Sequence, residues 1–262
     1  MNVKTRMPVL FAGHGSPMNA IEENAFTRVL AGQVALLPEK PPAVLCISAH
    51  WETRGARVTT ASAPPTIHDF RGFPDELFAV QYPAPGAPEL AARIQTLFDG
   101  GQVQGDAQWG LDHGSWSLLR HMFPAADVPV LQLSLNRELA PAEHYALARK
   151  LQPLREEGVL ILGSGNIVHS LRFIQWVDDA APYEWAVEFD AAIREFLVTR
   201  NHDGLIGYRE LLGRNAELAA PTAEHYLPLL YAAALQREDE PLTFFYEGFQ
   251  NASISMRSLR IG

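Results

Sequence analysis

Nine histidines and one cysteine, within 262 residues, define the chemistry open to this chain. Imidazole is the commonest side-chain metal ligand and titrates near neutral pH. Five of the histidines stand in turn-like surroundings: His14 in "FAGHGSPMNA", His50 in "CISAHWETRG", His113 in "WGLDHGSWSLL", His169 in "SGNIVHS" and His225 in "PTAEHYLPLLY". Taken singly, each reads first as a hydrogen-bonded structural residue. Taken together, they offer enough neutral nitrogen ligands for a catalytic metal site, which needs three and an open position. Gly13 and Gly15 would clear room around His14 for the ion, and Ser16-Pro17 would end the strand before it. The other four differ. His121 and His144 fall in helical patterns and read as structural or exposed, and His202 in "RNHDG" reads as a turn. His68 in "TIHDF" lies in a loop that could cover a site. Cys46 in "AVLCIS" reads as a small core residue, since free cysteine packs as a hydrophobe.

The elements that must hold these side chains follow from hydrophobic patterning. "MPVLFAG", "AVLCISA", "VPVLQLSL" and "GVLILGSG" are near-continuous apolar runs. Such runs suit parallel strands covered on both faces. Helical periodicity fills the gaps at 22–37, 88–98, 115–122, 142–156, 184–199 and 223–235, with Thr222 as N-cap of the last. "LTFFYEGFQ" and "SISMRSLRIG" read as two further strands, an antiparallel pair. Strand and helix in alternation predict an α/β fold, one domain over 1–262, with a central, mostly parallel sheet flanked by helices. His14, His50 and His169 then follow strands, where open α/β sheets bind ligands. The Pro- and aromatic-rich stretch 63–88 is too long for a plain connection and reads as a lid.

Composition sets further bounds. A net charge of -9 argues against nucleic acid, whose phosphates call for Lys and Arg. No apolar run is long enough to span a membrane, and the first residues lack the apolar core of a signal peptide, so the expected address is the cytoplasm. With one cysteine there is no internal disulfide. There is no dinucleotide fingerprint, and "GHGSP" is not a nucleophile elbow.

"GHGSPMNA", "SAHWETRG", "PPTIHDFRGFP", "YPAPG", "DHGSW", "SGNIVHSLR" and "PTAEHYLPLLY" together resemble the bacterial 4,5-DOPA extradiol dioxygenases, within the class III extradiol ring-cleavage family (protocatechuate 4,5-dioxygenase β-subunit-like). The likeness runs from the first strand to the last helix. It implies one non-haem divalent ion at the strand ends, with His14, His50 and His225 as ligands. His169 would be an acid/base residue that can approach the ion as a fourth ligand, and His113 a second catalytic histidine. The wider family uses two histidines and a glutamate; here His225 stands at the third position with Glu224 beside it. An all-histidine set suits Zn(II) at least as well as the Fe(II) expected for activity. The implied reaction is cleavage of a catechol by dioxygen, giving a muconic semialdehyde (4,5-seco-DOPA from L-DOPA). His68 and Tyr82, with Phe70 and Phe73, would contact substrate from the lid. A zinc-dependent hydrolase and a non-enzymatic metal-binding interaction protein remain alternatives, and an oligomer is open.

Overall fold

Each apolar run becomes a strand, and most lie side by side. The computed structural model describes residues 6–98, 101–177 and 180–262. In chain order it contains β1 (Val9–Gly13), α1 (Ala25–Gly32), β2 (Val44–Ser48), β3 (Glu52–Thr53), β4 (Ala56–Thr59), α2 (Asp75–Phe78) and α3 (Pro88–Leu97). There follow β5 (Val103–Asp106), α4 (His113–Met122), β6 (Val130–Gln132), β7 (Leu135–Asn136), α5 (Pro141–Arg149), α6 (Gln152–Glu156) and β8 (Leu160–Gly165). The last third holds α7 (Glu184–Val198), α8 (His202–Ile206), α9 (Tyr208–Ala219), α10 (Leu227–Ala234), β9 (Leu242–Tyr246), β10 (Phe249–Gln250), β11 (Ile254–Ser255) and β12 (Ser258–Ile261).

The main sheet has the order β6-β2-β8-β1-β12-β9. β6, β2, β8 and β1 are parallel, β12 pairs antiparallel with β1, and β9 pairs antiparallel with β12. The strand pair expected near the C-terminus is therefore present and closes one edge. Because side chains alternate across a strand, the sheet feeds two cores. Val9, Phe11, Leu45, Ile47 and Ile161 face a layer containing α5, α7 and α10. Leu10, Ala12, Val44, Cys46 and Leu162 face α1 and α4. α10 is buried on every side, as an all-apolar helix requires. Cys46 is buried and free, as expected, and burial pushes its thiol pKa well up.

Several boundaries differ from the sequence expectations for physical reasons. The 22–37 helix begins only at Ala25, where Asn24 and Thr27 form a capping box, and tightens into a 3-10 turn over Gln33–Leu36. The 142–156 helix is two helices, broken before Pro153, which has no N–H to continue the first. The 223–235 helix starts at Leu227, and Thr222 does not cap it; its hydroxyl donates to Glu224 instead (2.8 Å). His202 opens a short helix rather than a turn, and α2 sits inside the 63–88 stretch. Among the described residues no helix is long and apolar enough to cross a membrane.

Candidate metal centre

All five singled-out histidines line one cavity of about 460 Å³ at the carboxyl ends of the parallel strands. That size lies within the range of roughly 300–1,000 Å³ common for ligand pockets. A neighbouring groove of about 510 Å³ is larger but has no histidine in its wall. His14 follows β1 directly, held by its N–H on the Gly165 carbonyl (3.0 Å). His50 stands two residues beyond β2, with its N–H on Ser48 Oγ (3.2 Å). His113 is the first residue of α4, whose N-cap Asp112 accepts from Ser115. His225 lies in the turn before α10, and its carbonyl accepts from the Asn166 N–H (2.8 Å). His169 is fixed by its N–H on the Ala219 carbonyl (2.7 Å).

Hydrogen bonds on the outer nitrogens assign the tautomers. The Ser164 hydroxyl donates to the Gly114 carbonyl (2.5 Å), so its lone pair is left to accept from His14 Nδ1 (2.9 Å). Asp69 Oδ2 lies 2.9 Å from His113 Nδ1 and 3.4 Å from His50 Nδ1. Glu224 Oε1 lies 3.0 Å from His225 Nδ1. With Nδ1 of His14, His113 and His225 bonded to acceptors, their Nε2 atoms are left with lone pairs, and Asp69, at ion-pair distance from His50 Nδ1, favours the same tautomer there. His14 Nε2 and His50 Nε2 are only 3.2 Å apart. His225 Nε2 is buried with no partner, and its ring lies 5.3 Å from that of His14 and 5.0 Å from that of His50.

Facing lone pairs repel unless a cation lies between them. Two imidazole nitrogens on one tetrahedral ion, each bonded over about 2.0–2.1 Å, lie about 3.3 Å apart. The residues present therefore fit a single divalent ion. Nitrogens of His14, His50 and His113 lie within 4.8 Å of one another, as do ligand atoms of His169, Glu224 and His225. Burial, then the neighbouring imidazoles, push His14 and His225 well below the usual pKa, and burial does the same to His50. All three are thus neutral, the form that ligates a metal. Burial also lowers His169 to about 4. For Asp69, burial pulls upward, but the bonds from His113 and the charge of the imidazoles prevail and hold it at about 2.

Elsewhere the wall combines apolar and aromatic side chains, Phe70, Phe73, Leu171, Ile174, Trp176 and Ile254, with the polar Ser16, Asp69, Arg71 and Asn251. Thus part of the 63–88 stretch does face the site. His68 and Tyr82, expected to contact substrate, are not among the residues that line the cavity. His68 Nε2 is 2.9 Å from the Val80 carbonyl, with its ring packed on Phe70, Phe78 and Trp116. Tyr82 is buried and donates to the Phe123 carbonyl (3.0 Å). Gly13 and Gly15 are needed for a different reason than room for an ion. A Cβ on either would strike Met256, and at Gly15, with φ +61°, also Gln250. Sequence signals did not point to Asp69, which directly follows His68, or to Ser164, hidden in an ordinary strand end.

Comparison with known proteins decides the family. The model of the catalytic LigB subunit of aromatic ring-opening dioxygenase matches residues 7–259. The chain belongs to this family. A 4,5-DOPA dioxygenase extradiol of Escherichia coli (strain K12) is 45% identical over 262 residues, covering 98% of this chain and 96% of the relative. One from Beta vulgaris is 38% identical over 256 residues, covering 95% and 94%. The crystal structure of an uncharacterised protein from Escherichia coli K12 superposes with a TM-score of 0.85 at 41% identity, covering 98% of this chain and 100% of that one. This LigB-family chain is an extradiol ring-cleaving dioxygenase, and neither the hydrolase nor the interaction-protein alternative stands. The family suggests a single non-haem metal, and the histidine cavity is a potential site for it.

Proposed function

We propose that the protein cleaves the ring of L-DOPA, or a similar catechol, at the 4,5 position with dioxygen, giving 4,5-seco-DOPA or the corresponding muconic semialdehyde. The approach of His14 Nε2 and His50 Nε2 to 3.2 Å, with the partnerless His225 Nε2 in the wall of the same cavity, carries this reading. These three residues would hold the ion: His225 Nε2 is the one cavity imidazole nitrogen that is buried without a partner. Fe(II) is the active metal, and Zn(II) is also accepted by a neutral, all-histidine set. When bound, the ion supplies Lewis acidity toward the catechol hydroxyls and a meeting point for dioxygen.

The chain's own residues do the rest. Phe70, Phe73 and Trp176 provide faces and edges for an aromatic ring and keep bulk water from it. His169 stacks on His225, centroids 3.5 Å apart and 5° from parallel. Its ring face is covered by His225 and its backbone N–H is held on the Ala219 carbonyl, which keeps its imidazole in the cavity wall beside the residues that would hold an ion. We therefore assign His169 to proton transfer, taking a catechol proton and returning it as the ring opens. His113, its Nδ1–H on Asp69, keeps Nε2 as an acceptor at the cavity wall, near substrate or dioxygen. Residues 1–262 act as one catalytic domain in the cytoplasm, as a monomer or oligomer, with no nucleic-acid or membrane partner; the net charge of -9 supports the absence of a nucleic-acid role.

Anaerobic reconstitution with Fe(II), followed by dioxygen uptake with a panel of catechols, tests this. One dioxygen consumed per catechol, with a yellow product, is expected. An iron-loaded protein that consumes no dioxygen with any catechol would overturn the reading.

A further inference from the structure

Asp69 is the polar residue around which this cavity is organised, and it comes from a loop. It lies in the connection between β4 and α3, in a stretch with no regular structure. Its Oδ1 accepts the backbone N–H of His113 (2.8 Å). Its Oδ2 accepts from His113 Nδ1 (2.9 Å) and faces His50 Nδ1 (3.4 Å). Its ion-pair partners among the described residues are these two histidines, with no Lys or Arg. The loop is anchored before it by Ile67, whose N–H binds the Leu111 carbonyl (2.7 Å) and whose carbonyl accepts from Trp116 Nε1 (2.8 Å). The next anchor is the turn at 74–80. Across 69–73, which supplies Phe70, Arg71 and Phe73 to the cavity wall, the hydrogen bonds present are those of Asp69.

We propose that Asp69 is a positioning residue that fixes the tautomers of His50 and His113 together and so couples the seating of the 69–73 wall to metal binding. This rests on the metal reading above. A carboxylate that accepts from His113 Nδ1 and faces His50 Nδ1 at 3.4 Å favours the proton on Nδ1 of both, leaving each Nε2 with a lone pair. An asparagine there can accept from one N–H but presents its own NH₂ to the other. The shorter bond from His113 keeps the oxygen and the NH₂ faces His50 Nδ1, so His50 must turn or carry its proton on Nε2, where a bound ion would need a lone pair. Coupling is reciprocal: if seating the loop strengthens metal binding, metal must hold the loop.

The test uses the full chain, its Asp69→Asn variant, and Zn(II) alone as the probe. Competition with a chromogenic chelator should show zinc binding 10–100-fold weaker in the variant, on the order found when such supporting partners are lost. Hydrogen exchange across 69–73 should slow on adding zinc to the wild type and slow less in the variant. Nitrogen NMR of the metal-free wild type should find His50 and His113 protonated at Nδ1. A folded variant that binds zinc as tightly as wild type overturns the proposal, as do Nε2-protonated tautomers in the wild type. If the variant does not fold, the wild-type tautomers decide alone. A wild type that binds no zinc or iron refutes the metal reading, and this proposal with it.

Discussion

Ser164→Ala isolates the support of a single proposed ligand. The change removes one oxygen from a fully buried position. It deprives His14 Nδ1–H of its acceptor and the Gly114 carbonyl of one donor. The Gly114 carbonyl keeps its place in the α4 ladder, so the His14 Nδ1–H is the group left unpaired, at a cost of about 1–3 kcal/mol. A loss of about 2 kcal/mol in the metal-free protein is expected. Metal binding should suffer separately, because the His14 proton is no longer confined to Nδ1 and the Nε2 lone pair is no longer guaranteed. A 10–100-fold weaker affinity, about 1.4–2.8 kcal/mol, is the expected size. Urea denaturation of the metal-free protein reads the first quantity and chelator competition the second. A variant with an unchanged denaturation midpoint and zinc affinity within twofold of wild type would show that Ser164 does not set the His14 tautomer.

Four further outcomes follow from the same geometry. His169→Ala should keep its metal by elemental analysis yet lose about 10²–10⁴-fold in dioxygen uptake; near-normal turnover with iron would remove the proton-transfer role. His14→Ala and His225→Ala should be purified without bound metal, and full occupancy in either would strike it from the ligand set. Gly15→Ala should destabilise the fold by about 2 kcal/mol or more, since φ is +61° and the added methyl meets Gln250 and Met256; an unchanged thermal midpoint would contradict this. Glu240 is held below its usual pKa of 4.5: burial opposes this, but bonds from Arg155, the Arg237 N–H and Arg6 outweigh it. Its contribution is complete above about pH 4.5 and is lost as pH falls through the lower folded value, so Glu240→Gln should flatten the acid end of the stability curve. The same variant should lose about 3–5 kcal/mol at pH 7 by leaving the Arg155 guanidinium buried and unpaired; equal acid sensitivity in both proteins would refute the assignment.

The strands and the histidines that follow them were legible because both signals are local. An apolar run ending in Gly or Ser marks a strand end, and His14 and His50 lie within two residues of one. The partners that tune those histidines were not legible. Asp69 is 44 residues from His113 and Ser164 is 150 from His14, and no periodicity links such positions. His68 drew attention as the more reactive residue type, yet its neighbour faces the cavity. The helix expected over 223–235 starts four residues later, at Leu227. Its apolar pattern continues back to Ala223, but the His225 carbonyl is committed to the Asn166 N–H and so cannot serve a helix. Tertiary bonds of this kind override local pattern wherever a turn must hold a side chain over the sheet ends.

The place of β1 has a consequence for how the protein is made. It lies between β8 and β12, and the Gly13 N–H donates to the hydroxyl of Ser258, 245 residues further on. At about 5–20 residues per second, roughly 12–50 s of translation separate the two. β8 is made well before β12, so β1 gains its two neighbours at different times. Of the residues proposed to hold an ion, His225 is made long after His14 and His50, so a site that needs all three can close only late in that interval.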